Sequence, residues 1–400
     1  MPRVWVAIMF LADCAAAFCV VATGIHLTSV AIAAWRCRRR PLAVMPAEAR
    51  GVSILRPVCG IDPYITETLQ SSFRLDYPNY EVIFCAARED DPAVPIVRRL
   101  IAANQHIPAE LRVGDDRDSV NPKLNNLIKG WDAARHAWII MADSNVLMPR
   151  DYIQRLLTRW RSNTGAVCSM PVGTLPGNFW AELECAFLNT LQARAQYMSE
   201  TVGWGFAQGK TMLFRRDVVE SGGGIRALAA ETAEDAATTK LIRNAGLRVH
   251  LVDNPFEQPL GWRSAADVWA RQVRWARLRR ISFSWLFLPE LVIGSVFPAT
   301  ALAFAAEVYG IGAGTALAVF LTTWFGAEIA LARIAGWRLS PRLVLALPLR
   351  DLSLPVLWIA AWLSDDFVWR GNPMTVSRDR PRRRIFRRRW PALRDRSLEA

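Results

Sequence analysis

The chain has 400 residues, 52% of them hydrophobic, and its 49 basic and 36 acidic side chains give a formal net charge of +13. This composition excludes a disordered protein and fits poorly with a purely soluble one. At roughly 100–200 residues per domain, the length predicts a globular domain and a further part, which the apolar excess places in a membrane.

The first predicted element is an N-terminal membrane anchor, residues 1–40. The stretch from Val4 to Trp35 has Asp13 as its one charged side chain and exceeds the roughly 20 apolar residues that span a bilayer. It lacks the basic start and the cleavage site of a signal peptide. The arginine cluster that begins at Arg36 places the following residues in the cytoplasm by the positive-inside rule.

Residues 47–284 alternate between strand and helix patterns. Buried strands are predicted at Val52–Arg56, Glu81–Cys85, Ala137–Ala142 and Ala166–Ser169, with helices at Tyr64–Phe73, Ala93–Ala103 and Lys123–Ala134. The alternation predicts an α/β domain with a mostly parallel sheet covered by helices. In such sheets ligands bind beyond the carboxyl ends of the strands.

A second membrane region is expected at residues 285–366. Three apolar segments of spanning length lie there, namely Leu286–Tyr309, Ile311–Ala332 and Leu343–Leu363. Three full spans would put the C-terminal tail outside the cytoplasm, against the positive-inside rule, unless one segment is re-entrant or interfacial. The sequence leaves this topology open.

An Arg-rich tail, residues 367–400, holds much of the charge. From residue 370 onward eleven arginines stand against three acidic residues, a local balance of +8. These arginines cluster beside hydrophobic runs, so we expect the tail to bind anionic lipid headgroups and not nucleic acid. Seven cysteines without a CxxC pair and four dispersed histidines indicate neither a disulfide framework nor a zinc site.

Polar clusters follow the predicted strands. Arg56 ends the first strand, Arg88–Pro92 follows the second, and Asp143-Ser-Asn145 follows the third, while Glu231–Asp235 opens a later helix. Each cluster taken singly is explained by the preference of acidic residues for turns and helix starts. Together with Arg271-Gln-Val-Arg-Trp275 they form a specific series.

That series resembles the D, D, (E)D, (Q/R)xxRW motifs of inverting membrane glycosyltransferases, and in detail it resembles the ceramide glucosyltransferase family. The similar segments are Ser53–Pro63, Leu75–Val82, Asp90–Ala93, Asn121–Leu127, Ala142–Ser144, Ala233–Asp235 and Arg271–Trp275. The resemblance implies a GT-A type nucleotide-diphospho-sugar domain, Rossmann-like, between N-terminal and C-terminal transmembrane helices. It also implies that UDP-glucose is the donor and that the primary hydroxyl of ceramide is the acceptor.

Two chemical roles are expected of the acidic motifs. A divalent cation, Mg²⁺ or Mn²⁺, would neutralise the leaving diphosphate, with Asp143 as its ligand. Asn145 stands where a full DxD motif has a second aspartate, so coordination would rest more on phosphate and water. Asp235 is the expected base for the acceptor hydroxyl, with Glu234 as the fallback. Turn or helix-cap roles are the alternatives.

The nucleotide is expected beside the second strand. Arg88 occupies the position of the first motif aspartate of animal relatives, so Glu89, Asp90 or Asp91 must take that role, and Asp90 and Asp91 are the expected contacts to uracil or ribose. Arg56 and Lys123 would contact the nucleotide or its phosphates, and local pairing is the alternative for Arg56.

The tryptophan motif is expected at the diphosphate and sugar. Arg271 and Arg274 would bind the diphosphate, and Trp275 would lie near sugar or acceptor. The competing explanation is that these residues belong to a basic helix at the membrane interface, and one helix can have both roles. The resemblance places the glycine-aromatic loop with Gln208 and Gly209 near the acceptor pocket.

The resulting prediction is a multi-pass protein of a bacterial inner membrane with its catalytic domain in the cytoplasm. Two enzyme alternatives stay open: a related lipid glycosyltransferase that uses another UDP-sugar or a hopanoid acceptor, and a processive polysaccharide synthase. The limited membrane portion argues against the synthase. The alternative outside the enzymes is a basic membrane scaffold.

Overall fold

The computed structural model describes residues 2–38, 41–43, 49–115, 117–369 and 372–375. Nearly all of the tail expected to bind lipid headgroups therefore lies outside the described residues.

The described strands form one seven-stranded sheet and two sheets of two strands. They are β1 Val52–Pro57, β2 Tyr80–Ala86, β3 Ala109–Val113, β4 Trp138–Ala142, β5 Thr164–Ser169, β6 Val172–Pro176, β7 Thr211–Arg215, β8 Arg248–Leu251, β9 Glu257–Gly261, β10 Asp366–Trp369 and β11 Asn372–Thr375. The four strands predicted from apolar runs are confirmed as β1, β2, β4 and β5.

The large sheet has the strand order β3-β2-β1-β4-β7-β5-β8. Its neighbours run parallel, except that β7 runs antiparallel to both β4 and β5. Alternate side chains of β1 point to opposite faces, so that Ile54 and Leu55 pack into two separate hydrophobic clusters. Burial on both faces explains why the central strands are continuous apolar runs.

Helices cover the sheet and make up the expected membrane region, residues 285–366. They are α1 Pro2–Cys37, α2 Ile65–Gln70, α3 Val94–Ala103, α4 Pro122–Ala133, α5 Tyr152–Leu157, α6 Phe179–Cys185, α7 Arg194–Thr201, α8 Arg216–Ser221, α9 Glu234–Asn244, α10 Ala265–Ser282, α11 Ser284–Phe287, α12 Val296–Val308, α13 Ala313–Ala335 and α14 Pro341–Trp362. A π-helical segment, Ala186–Ala193, joins α6 to α7. The three predicted helices are confirmed as α2 with its 3₁₀ extension, α3 and α4.

Among the described residues, three helices are long and apolar enough to cross a membrane, namely Arg3–Cys37, Ala313–Ala335 and Pro341–Trp362. A pair bent by 46°, Ser284–Val292 with Val296–Val308, makes a fourth if it is one span. The expected segment Leu286–Tyr309 is therefore not one straight helix. A short 3₁₀ turn, Leu288–Val292, lies there, and its Pro289 has no N–H to continue an α-helical ladder.

Three charged residues of the candidate spans α13 and α14 form one buried network. Arg350 of α14 is fully buried, and its guanidinium donates to both carboxylate oxygens of Glu328 at 2.9 and 3.0 Å. It also donates to Asp351 at 2.6 Å and to the hydroxyl of Thr190 at 2.6 Å. This network joins α13, α14 and the π-helical segment, which is how two carboxylates can lie inside an apolar region.

Candidate active site

The site forms where β4 and β7 meet. The last residue of β4, Ala142, is paired with Thr211, the first residue of antiparallel β7. The segment that enters β7 therefore lies at the carboxyl edge of β4, where the N–H of Asp143 donates to the carbonyl of Lys210 at 3.1 Å. One reversed strand thus places Gly209 and Lys210 beside the aspartate that follows β4.

Lys123 lies at the N-terminus of α4 and links three segments. Its Nζ is 2.6 Å from Oδ1 of Asp143 and 2.5 Å from Oε1 of Glu234, and it donates to the carbonyl of Gly209 at 2.7 Å. Burial opposes its charge, but the two carboxylates outweigh burial and raise the pKa of Lys123. The ammonium therefore holds the ends of β4 and α9 together.

Asp143 is held by two lysines. Nζ of Lys210 lies 2.8 Å from Oδ2 of Asp143, opposite the contact of Lys123 with Oδ1. Burial alone would raise the pKa of Asp143, but the two ammonium groups hold it below its usual range. Lys210 also donates to Oδ1 of Asn145 at 2.9 Å.

The first turn of α9 carries the two candidate bases in different surroundings. Glu234 is buried, and while its Oε1 contacts Lys123, its Oε2 accepts a hydrogen bond from Nδ2 of Asn121 at 2.9 Å. Asp235 accepts from the N–H of Gly209 at 3.2 Å and from the N–H of Ala236 at 2.8 Å. Burial first, and then the charge of Glu234, raise the pKa of Asp235 to about 6.

Gly209 lies against the charged ends of three site side chains. A Cβ at this position would lie 2.9 Å from Oε1 of Glu234 and 3.1 Å from Nζ of Lys123. The absence of a side chain lets the backbone carbonyl of Gly209 reach Lys123 while its N–H reaches Asp235.

The tryptophan motif lies on α10. Arg271 forms an ion pair with Glu184, a fully buried residue of α6, and its guanidinium lies 5.9 Å from the ring centroid of Trp275. Trp275 packs against a small apolar cluster that includes Leu188 and Leu260. Arg271, Arg274 and Trp275 all line the same cavity as Asp143 and Asp235.

Arg56 does not reach that cavity. It is fully buried, and its guanidinium donates to the carbonyls of Asp143, Ser144 and Val146 at 2.8, 3.0 and 2.9 Å. Its contacts shape the turn after β4, so the predicted contact between Arg56 and the nucleotide is at odds with its placement. The alternative of a local role fits the structure, with backbone carbonyls as the partners rather than a carboxylate.

The two aspartates predicted to contact the nucleotide after β2, Asp90 and Asp91, have different surroundings. Asp90 is exposed and pairs with Arg88 at 2.8 Å. Asp91 lines the cavity, and its carboxylate accepts from the N–H of Gly60 at 3.0 Å and from the N–H of Ala93 at 2.9 Å. Asp91 thus joins the loops that follow β1 and β2.

One cavity of about 1760 Å³ contains most of these groups. Its charged part is lined by Lys123, Asp143, Lys210 and Asp235, with Gln208 and Gly209 beside them. Its apolar part is lined by residues of α11, the segment after it and α14, namely Leu286, Phe287, Ile293, Leu354, Leu357 and Trp358. The cavity therefore runs from the strand ends to helices of the membrane region.

Comparison with known proteins gives the family. A model of the family described as glycosyl transferase family 21 matches residues 17–381. The chain belongs to this family. This glycosyltransferase is similar to ceramide glucosyltransferase 1 of Caenorhabditis elegans, with 25% identity over 82% of this chain and 72% of the relative. It is similar to the ceramide glucosyltransferase of Komagataella phaffii (strain GS115), with 26% identity over 86% of this chain and 85% of the relative.

The family 21 chain is also similar to a solved structure, described as mannosyltransferase PcManGT from Pyrobaculum calidifontis in complex with GDP-Man and Mn²⁺. The identity is 19%, with 87% of this chain and 98% of the other covered, at a TM-score of 0.49. The mostly parallel sheet with helices on both faces confirms the α/β fold class that the alternation of strands and helices predicts.

The side chains around Asp143 do not fit a divalent cation held by protein ligands. Across the described parts of the chain, no group of three or more histidine, cysteine, aspartate or glutamate side chains is placed to hold a metal ion. Both oxygens of Asp143 accept from lysines, and the amide oxygen of Asn145 accepts from Lys210. The Mg²⁺ or Mn²⁺ ion expected at Asp143 stays a prediction, and the contact with Lys210 argues against it.

Two residues of the site in this glycosyltransferase, Asn121 and Lys210, were not predicted from the sequence. Asn121 caps α4 through the N–H groups of Lys123 and Leu124 while its amide donates to Glu234. Lys210 completes the contacts of Asp143. A signal for Lys210 was present: the chain has four lysines among 49 basic residues, and two of the four contact one aspartate. A lysine amid arginines is favoured where a compact charge must fit between oxygens.

Proposed function

We propose that this family 21 glycosyltransferase transfers glucose from UDP-glucose to the primary hydroxyl of ceramide, forming β-glucosylceramide and UDP. The observation that carries the proposal is the single cavity, whose charged part adjoins an apolar wall made by the membrane region. Such a cavity suits an acceptor with a hydroxyl at one end and long apolar chains at the other. The names of the relatives, ceramide glucosyltransferases, agree with that acceptor.

The donor is proposed to bind along the strand ends. Asp91 lies beside β2, at the side expected for uracil and ribose. Lys210 and Arg271 line the cavity next to Asp143, where their charges would meet the diphosphate. Arg271 is fixed in this position by Glu184 beneath it. Arg274 and Trp275 line the adjoining wall, toward the sugar and the acceptor.

Asp235 is proposed as the base rather than Glu234. Lys123 and Asn121 occupy both oxygens of Glu234, whereas the oxygens of Asp235 accept from backbone N–H groups. A carboxylate whose pKa is about 6 is ionised at neutral pH yet basic enough to take a proton in the transition state.

The reaction is proposed as one displacement. The acceptor oxygen attacks the anomeric carbon as Asp235 removes the hydroxyl proton, and the bond from that carbon to the diphosphate breaks with its electron pair on UDP. Attack from the face opposite the leaving group converts an α-linked donor into a β-linked product. The lysine and arginine charges stabilise the departing diphosphate.

The acceptor is proposed to enter from the membrane side. Phe287 and Trp358, whose rings are nearly parallel with centroids 5.9 Å apart, form part of the apolar wall. Gln208 and Gly209 lie where the polar end of the lipid would meet Asp235. We further propose a bacterial inner-membrane location with the catalytic domain in the cytoplasm, as the arginines after α1 predict, and contacts of the Arg-rich tail with anionic headgroups.

Purified full-length protein, ceramide and a panel of UDP-sugars test the proposal. Turnover with UDP-glucose, and an anomeric proton coupling of the β type in the product, are expected. Turnover only with another UDP-sugar or a hopanoid alcohol would replace the donor or acceptor. A long polymer would favour a polysaccharide synthase, and no turnover with any donor would favour a scaffold.

A further inference from the structure

Lys210 lies between the two oxygens that the motif after β4 offers to a cation. Its Nζ is 2.8 Å from Oδ2 of Asp143 and 2.9 Å from Oδ1 of Asn145. A divalent ion bound by this motif would use these same two side chains, because hard cations prefer carboxylate and amide oxygens. The ammonium therefore bridges the pair as a bound ion would.

The origin of this arrangement is the reversed strand. Lys210 immediately precedes β7, and the pairing of Thr211 with Ala142 sets Lys210 beside Asp143. The hydrogen bond from the N–H of Asp143 to the carbonyl of Lys210 fixes the two backbones at 3.1 Å. The lysine is consequently held from its main chain as well as from its side chain.

Lys210 differs from Lys123 in its remaining hydrogen-bonding capacity. An ammonium group has three N–H bonds. Lys123 has three acceptors, on Asp143, Glu234 and Gly209, which use all of them. Lys210 has two acceptors among the described residues, Asp143 and Asn145, and it lines the cavity. Its third N–H bond remains for a ligand oxygen.

The surroundings of Lys210 favour an anion as that ligand. Lys210 lines the cavity together with two other cations, Lys123 and Arg271, and the three side chains are only 15%, 11% and 18% exposed. The one carboxylate that contacts Lys210, Asp143, is shared with Lys123, so a phosphate oxygen in the cavity would give Lys210 a further charged acceptor. No protein carboxylate beyond Asp143 contacts Lys210 in the parts of the chain described above.

We propose that the ammonium of Lys210 takes the place of a protein-bound divalent cation and donates to the diphosphate of the donor, so that this enzyme binds UDP without a divalent ion. The inference rests on the proposed function, because it takes a uridine diphosphate as the ligand. Lys210 keeps its proton through the transfer and balances the charge that remains on UDP when the glycosidic bond breaks.

The experiment measures UDP affinity, without turnover, on full-length protein in detergent by titration calorimetry. Wild type is titrated in EDTA and then with Mg²⁺ or Mn²⁺. The two dissociation constants are expected to agree within about threefold. Lys210→Met is expected to weaken UDP binding in EDTA by about tenfold or more, and to recover part of this with Mn²⁺ because Asp143 and Asn145 become free.

Lys240→Met is the matched control. Lys240 is bound to Glu231 at 2.5 Å and is not among the residues that line the cavity, so its loss should leave UDP affinity unchanged in both conditions. The unfolding temperature of each variant verifies folding. The wild-type comparison needs no variant, and it decides the question even if Lys210→Met fails to fold.

Two results would overturn the inference while the proposed function stands. One is wild type that binds UDP only with a divalent ion, and the other is Lys210→Met that binds UDP in EDTA as wild type does. Wild type that binds no UDP in either condition would reject the proposed donor and the inference together.

Discussion

Replacing Asp235 by asparagine should abolish transfer without destabilising the protein. Asparagine cannot take the acceptor proton, and loss of a general base typically lowers the rate by about 10²–10⁴-fold. Its side-chain oxygen can still accept from the N–H of Gly209, as one oxygen of Asp235 does at 3.2 Å. The substitution therefore separates the chemical role of the carboxylate from its role in packing.

The effect on stability follows from the raised pKa. A rise of the Asp235 pKa from 3.8 to about 6 corresponds to about 3 kcal/mol against the ionised form in the folded state. Asp235 is only partly buried, so contact with water reduces this to about 1–2 kcal/mol. At pH 8 the neutral asparagine should leave the unfolding temperature unchanged or raise it by roughly 2–4 °C.

The pH dependence of Asp235 has a definite sign. Since the folded state binds the Asp235 proton more tightly than the unfolded state, wild type gains stability as the pH falls from about 6 toward 3.8. The difference in unfolding temperature between Asp235→Asn and wild type should therefore shrink over this range. The kcat/KM of wild type should fall about tenfold per pH unit below pH 6, because the base becomes protonated.

Product formation from UDP-glucose and ceramide, with thermal unfolding followed by tryptophan fluorescence, measures both effects. Asp217→Asn is the control, since Asp217 is an exposed residue paired with Arg215. If Asp235→Asn keeps more than about a tenth of wild-type activity while Glu234→Gln is inactive, the base is Glu234. A clear drop in the unfolding temperature at pH 8 would show that the charge of Asp235 stabilises the fold, contrary to the argument.

Three further substitutions test other parts of the structure. Gly209→Ala should lower kcat about tenfold or more with little loss of stability, because the added Cβ would lie within 3.1 Å of Lys123 and Glu234. Gly326→Ala is the control: a Cβ there would meet no atom within 4 Å, so this variant should match wild type. Trp358→Ala should raise the KM for ceramide about tenfold and leave the KM for UDP-glucose unchanged. Trp285→Ala is the control, because Trp285 is 86% exposed. Equal effects of Trp358→Ala on both KM values would contradict the proposal that the apolar wall binds ceramide. Arg350→Met should destabilise the protein by about 3–5 kcal/mol, because the buried carboxylates of Glu328 and Asp351 lose the guanidinium that they share. An unchanged unfolding temperature would refute that explanation.

The sequence determined the fold class, the membrane segments and the family. Continuous apolar runs of strand length marked β1, β2, β4 and β5, because strands buried on both faces leave little room for polar residues. The order of the motifs was sufficient for the family, which the matched residues 17–381 show. Asp143, Glu234 and Asp235 also follow from motif order, and the structure brings them to one cavity.

The tertiary structure decided which of the singled-out residues share that cavity. Arg56 follows a strand as a ligand contact would, yet it is buried beneath the turn after β4, because the guanidinium is long enough to reach three carbonyls of that turn. Lys210 lies 67 residues after Asp143, and their contact depends on the antiparallel insertion of β7 beside β4. Strand order and direction arise from long-range pairing, which local sequence patterns do not specify. The apolar wall beside the charged groups likewise arises only when α11 and α14 pack near the strand ends.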